Sequence, residues 1–179
     1  MTKKKKIIAL SGSTKKDSMN VKIIEKFAQL TGAHLNVIIY PIEELPYFNP
    51  DIDNSDALPL SIIDFRKQID TADGVLICTP EYVFSLPGIL KNALEWTVST
   101  IVFNEKPTAL ITASSVGEKA HESLHLVMTT IGAKIGNKSA ILIKNVKTKI
   151  NPLGEFINAE TLSVFNDLID DFKSNLAYK

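Results

Sequence analysis

Two short stretches carry side chains that neither a helix nor a strand requires. The first, Ser11-Gly12-Ser13-Thr14-Lys15-Lys16-Asp17-Ser18-Met19-Asn20, lies between an apolar run, Ile7 to Leu10, and a segment with helical spacing, Val21, Ile24, Phe27, Ala28 and Leu30. A helix start exposes unpaired N–H groups and the positive end of the dipole, so a polar loop between strand and helix is suited to an anion. Ser13, Thr14 and Ser18 offer hydroxyls there, Lys15 and Lys16 offer charge, and Asn20 is placed to cap the helix. This is the chemistry of a phosphate site. The second stretch runs from Thr79 to Trp96. Pro80 removes a backbone donor and ends a buried strand, Pro87 suits a first helical turn, and Glu81 and Tyr82 stand in the loop between them. Ser85 and Gly88 let a backbone come close to a flat ligand.

The remaining composition excludes several kinds of site. The first loop is neither a GxxxxGK[ST] loop nor a GxGxxG fingerprint, since Gly12 is its only glycine, which disfavours a P-loop kinase and a Rossmann dehydrogenase. One cysteine, Cys78, leaves no disulfide framework and no cysteine-rich metal site, and its place in a buried run favours inert packing. His121 and His125 stand at i, i+4 without an HExxH pattern and read as a helix face, so no metal is expected. Twenty basic and twenty acidic residues give a net charge of +0. No overall field therefore steers nucleic acid or an anionic membrane toward the chain. The basic run Lys3 to Lys6 is a solvated lead-in, and the four apolar residues after it are too few for a signal peptide, which predicts a cytoplasmic protein.

The elements that must position these loops follow from the spacing of apolar residues. Strands are expected at Ile7 to Leu10, Leu35 to Tyr40, Gly74 to Cys78, Ala109 to Ala113 and Ala140 to Ile143. Gly74 to Cys78 lacks alternation, so both of its faces must be covered. Helices are expected from about Val21, from Ser61 to Thr71, from Pro87 to about Thr100, from about Lys119 to Ile131, and through Leu162 to Phe172. Pro41 through Asp56 is a turn-rich connection whose Tyr47 and Phe48 pack on the sheet by default. With 179 residues, 45% of them hydrophobic, the chain fits one domain spanning 1–179.

Five strands alternating with five helical segments predict an α/β fold, a doubly wound parallel sheet closed by right-handed crossovers. In the flavodoxin-like order 2-1-3-4-5, the carboxyl ends of strands one and three meet at the switch point where ligands bind, and both loops would flank one crevice. A receiver domain shares this order but needs acidic residues after its first strand, where this chain has Ser11.

The wording Pro80-Glu81-Tyr82, then Ser-x-Pro-Gly-x-Leu-Lys-Asn-Ala-x-x-Trp from Ser85 to Trp96, resembles the NAD(P)H-dependent FMN reductase family, a flavodoxin-like group that includes azoreductases and quinone or chromate reductases. Gly12-Ser13-x-Lys15-x-x-Ser18-x-Asn20 resembles the same family's flavin-phosphate loop. The resemblance implies FMN as cofactor and NAD(P)H as electron-donating co-substrate, with a quinone, azo compound, free flavin or metal anion as acceptor. It implies that Ser13, Lys15, Ser18 and Asn20 hold the phosphate and that Pro80, Glu81, Tyr82 and Val83, with Ser85 nearby, border the ring. It further implies that Ser11, Met19 and Ser114 complete the cofactor contacts. No side chain is nominated as catalytic, because the flavin carries the chemistry.

It also implies a homodimer or homotetramer, with Lys91 and Glu95 near the contact. Three positions depart from the family pattern: Lys15 stands where Arg is usual, Val83 where Asn is usual, and only Gly117 is glycine in the 114–118 loop. Two other readings stay open on sequence alone: an electron-carrier flavodoxin, which the neutral charge disfavours, and a flavin-free module that binds a ligand or partner.

Overall fold

The computed structural model describes residues 3–177. Its five strands are β1 (Lys5–Ser11), β2 (Leu35–Tyr40), β3 (Gly74–Thr79), β4 (Pro107–Ala113) and β5 (Lys134–Ile143). They form one sheet in the order β2-β1-β3-β4-β5. All four pairings are parallel, with Ile8 beside both Ile38 and Val75, and Ile77 beside Leu110. β3 and β4 are buried along their whole lengths, as expected of strands covered on both faces. The chain turns back across β1 to reach β3, so the switch point lies between these two strands.

Strand residues alternate between two cores, following the two-residue period of the pleat. Ile7, Ala9, Leu76 and Cys78 face one side, against α1 (Met19–Thr31) and α6 (Ala159–Ala177). There the Phe27 ring meets Phe165 and Phe172 edge-on at 6.4 and 6.0 Å, contacts worth about 0.5–1.5 kcal/mol each beyond simple burial. Ile8, Leu10, Val75 and Ile77 face the other side, against α2 (Leu60–Asp70), α3 (Gly88–Glu95) and α4 (Glu118–Thr130). A single helical turn, α5 (Val146–Lys149), follows β5.

Three elements differ from the sequence reading. β5 starts at Lys134 rather than Ala140, because the first part of this edge strand is largely solvent-facing and its polar residues hide the pattern. A register shift between Thr108 and Leu110 marks the join of its two halves. α3 ends at Glu95 instead of near Thr100, and the chain continues in turns. The cap of α1 is Ser18, whose Oγ accepts from the Asn20 N–H at 3.2 Å. Asn20 lies inside the helix, buried, with its Oδ1 taking the Cys78 thiol at 3.3 Å.

The 41–59 connection is pinned by side chains from α2 and α3. Asn92 accepts from the Phe48 N–H at 2.7 Å through Oδ1 and donates to the Pro46 carbonyl at 3.0 Å, which also receives the Trp96 indole N–H at 2.8 Å. Phe48 rests edge-on against the wholly buried Trp96, whereas Tyr47 is exposed. Arg66 pairs with the buried Asp53 and donates to the Trp96 carbonyl at 2.7 Å. Asn92 and Trp96 therefore brace the loop that backs α3.

Candidate functional site

The first ligand loop leaves β1 at Ser11 and passes close against β3. The Gly12 N–H donates to the Cys78 carbonyl at 2.9 Å, extending the ladder by one step. A Cβ at Gly12 would lie 2.2 Å from Thr79 Oγ1 and 3.2 Å from the Thr79 backbone, so only glycine permits the approach. Ser11 Oγ is turned inward onto the Ser13 backbone, accepting from its N–H and facing its carbonyl at 3.3 Å. Ser13 Oγ accepts from the Lys15 N–H at 3.4 Å. The Lys15 ammonium makes no ion pair or hydrogen bond among the described residues, while Lys22 holds Asp17 and lowers its carboxyl below the usual range, the charge of Lys15 adding to this.

The second loop leaves β3 at Pro80. Tyr82 and Ser85 exchange both backbone hydrogen bonds at 3.1 Å, closing a two-residue turn over Val83 and Phe84. Both central residues have positive φ, 51° and 55°, which is the type I′ form that normally takes Asn and Gly. A β-branched valine there costs on the order of 1–2 kcal/mol. The two side chains stand in solvent, 94% and 73% exposed.

The Glu81 carboxylate does not turn toward the crevice. Oε1 accepts from the Gly117 N–H at 3.1 Å, and Oε2 from the Lys119 and Ala120 N–H groups at 2.9 and 3.0 Å. It is the cap of α4. The helix's own capping residue, Gly117, has no side chain to give and must be glycine, since its φ is 95° and a Cβ would strike Leu142 at 2.7 Å. A carboxylate also suits the positive end of the helix dipole. Expected at the ring border, the Glu81 side chain instead ties the second loop to the third.

The third loop, 114–118, is held from its other side by the segment after β5. The Asn145 and Val146 N–H groups donate to the Ser115 and Ser114 carbonyls at 3.1 Å. Lys144 pairs with Glu118 and lowers that carboxyl below its usual range, chiefly through the hydrogen bond between them.

These connections surround a crevice of about 400 Å³ at the carboxyl edge of the sheet, within the size range of ligand sites. Of the residues expected from sequence, Ser13, Lys15, Ser18, Met19 and Asn20 line it from the first loop and the start of α1. Pro80 and Tyr82 line it from the second loop, and Ser114 from the third. Ser11, Glu81, Val83 and Ser85 do not. The sequence reading missed its fourth side: Val146, Lys147, Ile150 and Pro152. No motif marks them. Lys22, at the start of α1, ties this side in by donating to the Pro152 carbonyl at 2.5 Å.

The donors present fit a phosphate-bearing flat ligand. Hydroxyls, a helix start and the Lys15 and Lys22 ammonium groups line it from the β1 loop and α1, while Pro80, Tyr82, Ala113 and Val146 add flat or apolar wall. Cys78 stays out of the chemistry: it is fully buried beneath Asn20, and burial pushes its thiol well above the usual range.

Comparison with known proteins agrees with this geometry. The family model described as NADPH-dependent FMN reductase matches residues 5–148. The quinone reductase of Escherichia coli K12 is 30% identical over 172 residues, covering 90% of each chain. A 2-hydroxy-1,4-benzoquinone reductase from a Burkholderia species is 31% identical over 173 residues, covering 93% of each. The solved flavoenzyme FerB of Paracoccus denitrificans, an NAD(P)H:acceptor oxidoreductase, superposes with a TM-score of 0.82 at 25% identity over 97% of both chains.

Proposed function

Because the chain belongs to the NADPH-dependent FMN reductase family, and is with it an oxidoreductase that works with FMN and NAD(P)H, we propose that the crevice at the switch point is its FMN site and that a quinone is its acceptor. The observation that carries the placement is the gathering of Ser13, Lys15, Ser18 and the start of α1 on one side of a cavity whose farther wall is Pro80 and Tyr82. The quinone is supported by the names of the relatives from Escherichia coli and Burkholderia.

The two-electron chemistry, a hydride in from NAD(P)H and two electrons out to the acceptor, is supplied by FMN when bound. The chain's residues bind and orient. Ser13 and Ser18 offer hydroxyls to the phosphate, and Lys15 offers a point charge in place of a two-pronged donor. Pro80 and Tyr82 give the ring a wall. Met19 is half-buried beside the phosphate side, and Asn20 contributes its helical backbone, its side chain being engaged with Cys78. Ser114 lines the crevice from the third loop, while Ser11 and Glu81 act through the loops they fasten.

The test is spectroscopic. The protein is saturated with FMN, desalted, and given NADPH and then a benzoquinone without air. Retained flavin bands that bleach on NADPH and return with the quinone support the reading. Failure to retain flavin removes the site. Bleaching that only oxygen reverses removes the quinone.

The same proposal covers assembly and location. An apolar groove of about 410 Å³ lies between α3 and α4, with Leu94, Val98, Leu126 and Ile131 among its lining. Val98 and Leu126 are 63% and 67% exposed, and pairing through this face as a homodimer or homotetramer would cover them. Lys91 and Glu95 line the groove but bond to each other at 2.6 Å within the chain, so they are its rim. Leu126→Glu should halve the particle mass read by light scattering, and an unchanged mass would move the interface elsewhere. Among the described residues no helix is long and apolar enough to cross a membrane. We infer a cytoplasmic protein of one domain.

A further inference from the structure

The charges inside the crevice do not balance. Lys15, Lys22 and Lys147 line it, and Asp17 is the sole acidic residue in the lining. Asp17 is already held by Lys22. The excess is two positive charges. The Lys15 and Lys147 ammonium groups have neither an ion-pair nor a hydrogen-bond partner among the described residues, whereas nearby Lys22, Lys119 and Lys144 are all paired. A phosphomonoester carries about −1.5 to −2 charges at neutral pH, which is the complement of that excess.

Lys147 is also held in place. The residue before it, Val146, is buried and donates to the Ser114 carbonyl at 3.1 Å. Ile150, one turn on, is wholly buried, and Asn145 takes a left-handed conformation (φ 50°) that turns the chain from β5 toward the crevice. Two apolar anchors thus bracket an exposed ammonium, without an ion-pair or hydrogen-bond partner among the described residues, in the lining of the crevice.

We propose that Lys147 is a phosphate-binding residue: together with Lys15 it supplies the second cation for the FMN phosphomonoester, and so adds a donor where a single-pronged lysine at position 15 stands in place of a two-pronged guanidinium. The inference rests on the placement of FMN in this crevice. It predicts that the two lysines act on the phosphate and not on the ring, so that their removal separates two ligands differing only in that group.

The experiment compares dissociation constants of FMN and riboflavin, read by quenching of flavin fluorescence, for the wild type and for Lys147→Gln, Lys147→Arg and Lys15→Gln, with unfolding of each flavin-free protein measured alongside. Lys147→Gln should weaken FMN by about tenfold or more, the size of a charge-assisted hydrogen bond, and leave riboflavin unchanged. Lys147→Arg should restore FMN binding, and raising salt should weaken wild-type FMN binding more steeply than that of Lys147→Gln. Equal FMN constants for wild type and Lys147→Gln, or equal losses for both flavins, would overturn the role of Lys147 while leaving the FMN site intact. A wild type that binds neither flavin would overturn the site and this inference together.

Discussion

Val83 holds a left-handed backbone conformation with its side chain almost wholly in water, so nothing around it returns the cost of the strain. Val83→Asn should therefore stabilise the flavin-free protein by about 1 kcal/mol, seen as a higher urea midpoint at unchanged slope, because asparagine tolerates this conformation. No gain would mean that the turn relaxes in solution. Glu81 is the opposite case, a side chain with three backbone donors on one carboxylate. Glu81→Ala should cost about 1–2 kcal/mol, as loss of a helix cap does, and Glu81→Gln less, since one acceptor oxygen remains. The sequence shows Glu81 as a residue that no helix or strand requires, and the resemblance to the reductase family sets asparagine as the expected residue at Val83. It does not show where Glu81 points, since its partners lie 36 to 39 positions on and a cap made across loops leaves no local spacing.

The element with a titratable weak point is α4. His121, in its first turn, lies with Nδ1 3.0 Å from Thr112 Oγ1. Burial, with the neighbouring His125 adding to it, holds its pKa below the usual value, Glu122 opposing weakly. The unfolded imidazole takes its proton near pH 6.5, and the folded one only at lower pH. Across that window the unfolded chain binds more protons, so stability is complete above about pH 6.5 and falls as pH drops. His121→Gln should flatten this part of the profile of urea midpoint against pH, and an unchanged slope would place the loss on other groups.

Elements were legible where burial is complete and punctuation is strong. β3 has no alternation and is bounded by Gly74 and Pro80, and α3 starts one residue after Pro87, as the missing N–H of proline suggests. β5 was half missed because Lys134, Asn137 and Lys138 face solvent on an edge. The fourth side of the crevice was missed for a related reason. One helical turn at Val146–Lys149 is too short to show a period, and a lysine in it looks like any surface lysine.

For the whole molecule, the two cores on either face of the sheet and the crevice at its edge make ligand and fold interdependent. FMN at 100 times its dissociation constant should raise unfolding free energy by about 2.7 kcal/mol if it binds the folded chain alone. A thermal midpoint that rises with the logarithm of FMN concentration checks this, and a midpoint indifferent to FMN would mean that binding does not need the folded sheet.

The crevice draws on connections after β1, β3, β4 and β5, from Ser13 to Pro152. On the ribosome the chain emerges from its amino end, so the hydroxyl loop appears first and Lys147 only after all five strands have been made. With FMN in this crevice as proposed, no partial product has a complete flavin cradle. Cofactor loading would then be a late event in the life of each molecule, and the form that chaperones and proteases meet during synthesis would be the colourless one, with its strained turn and unbalanced lysines still open to water.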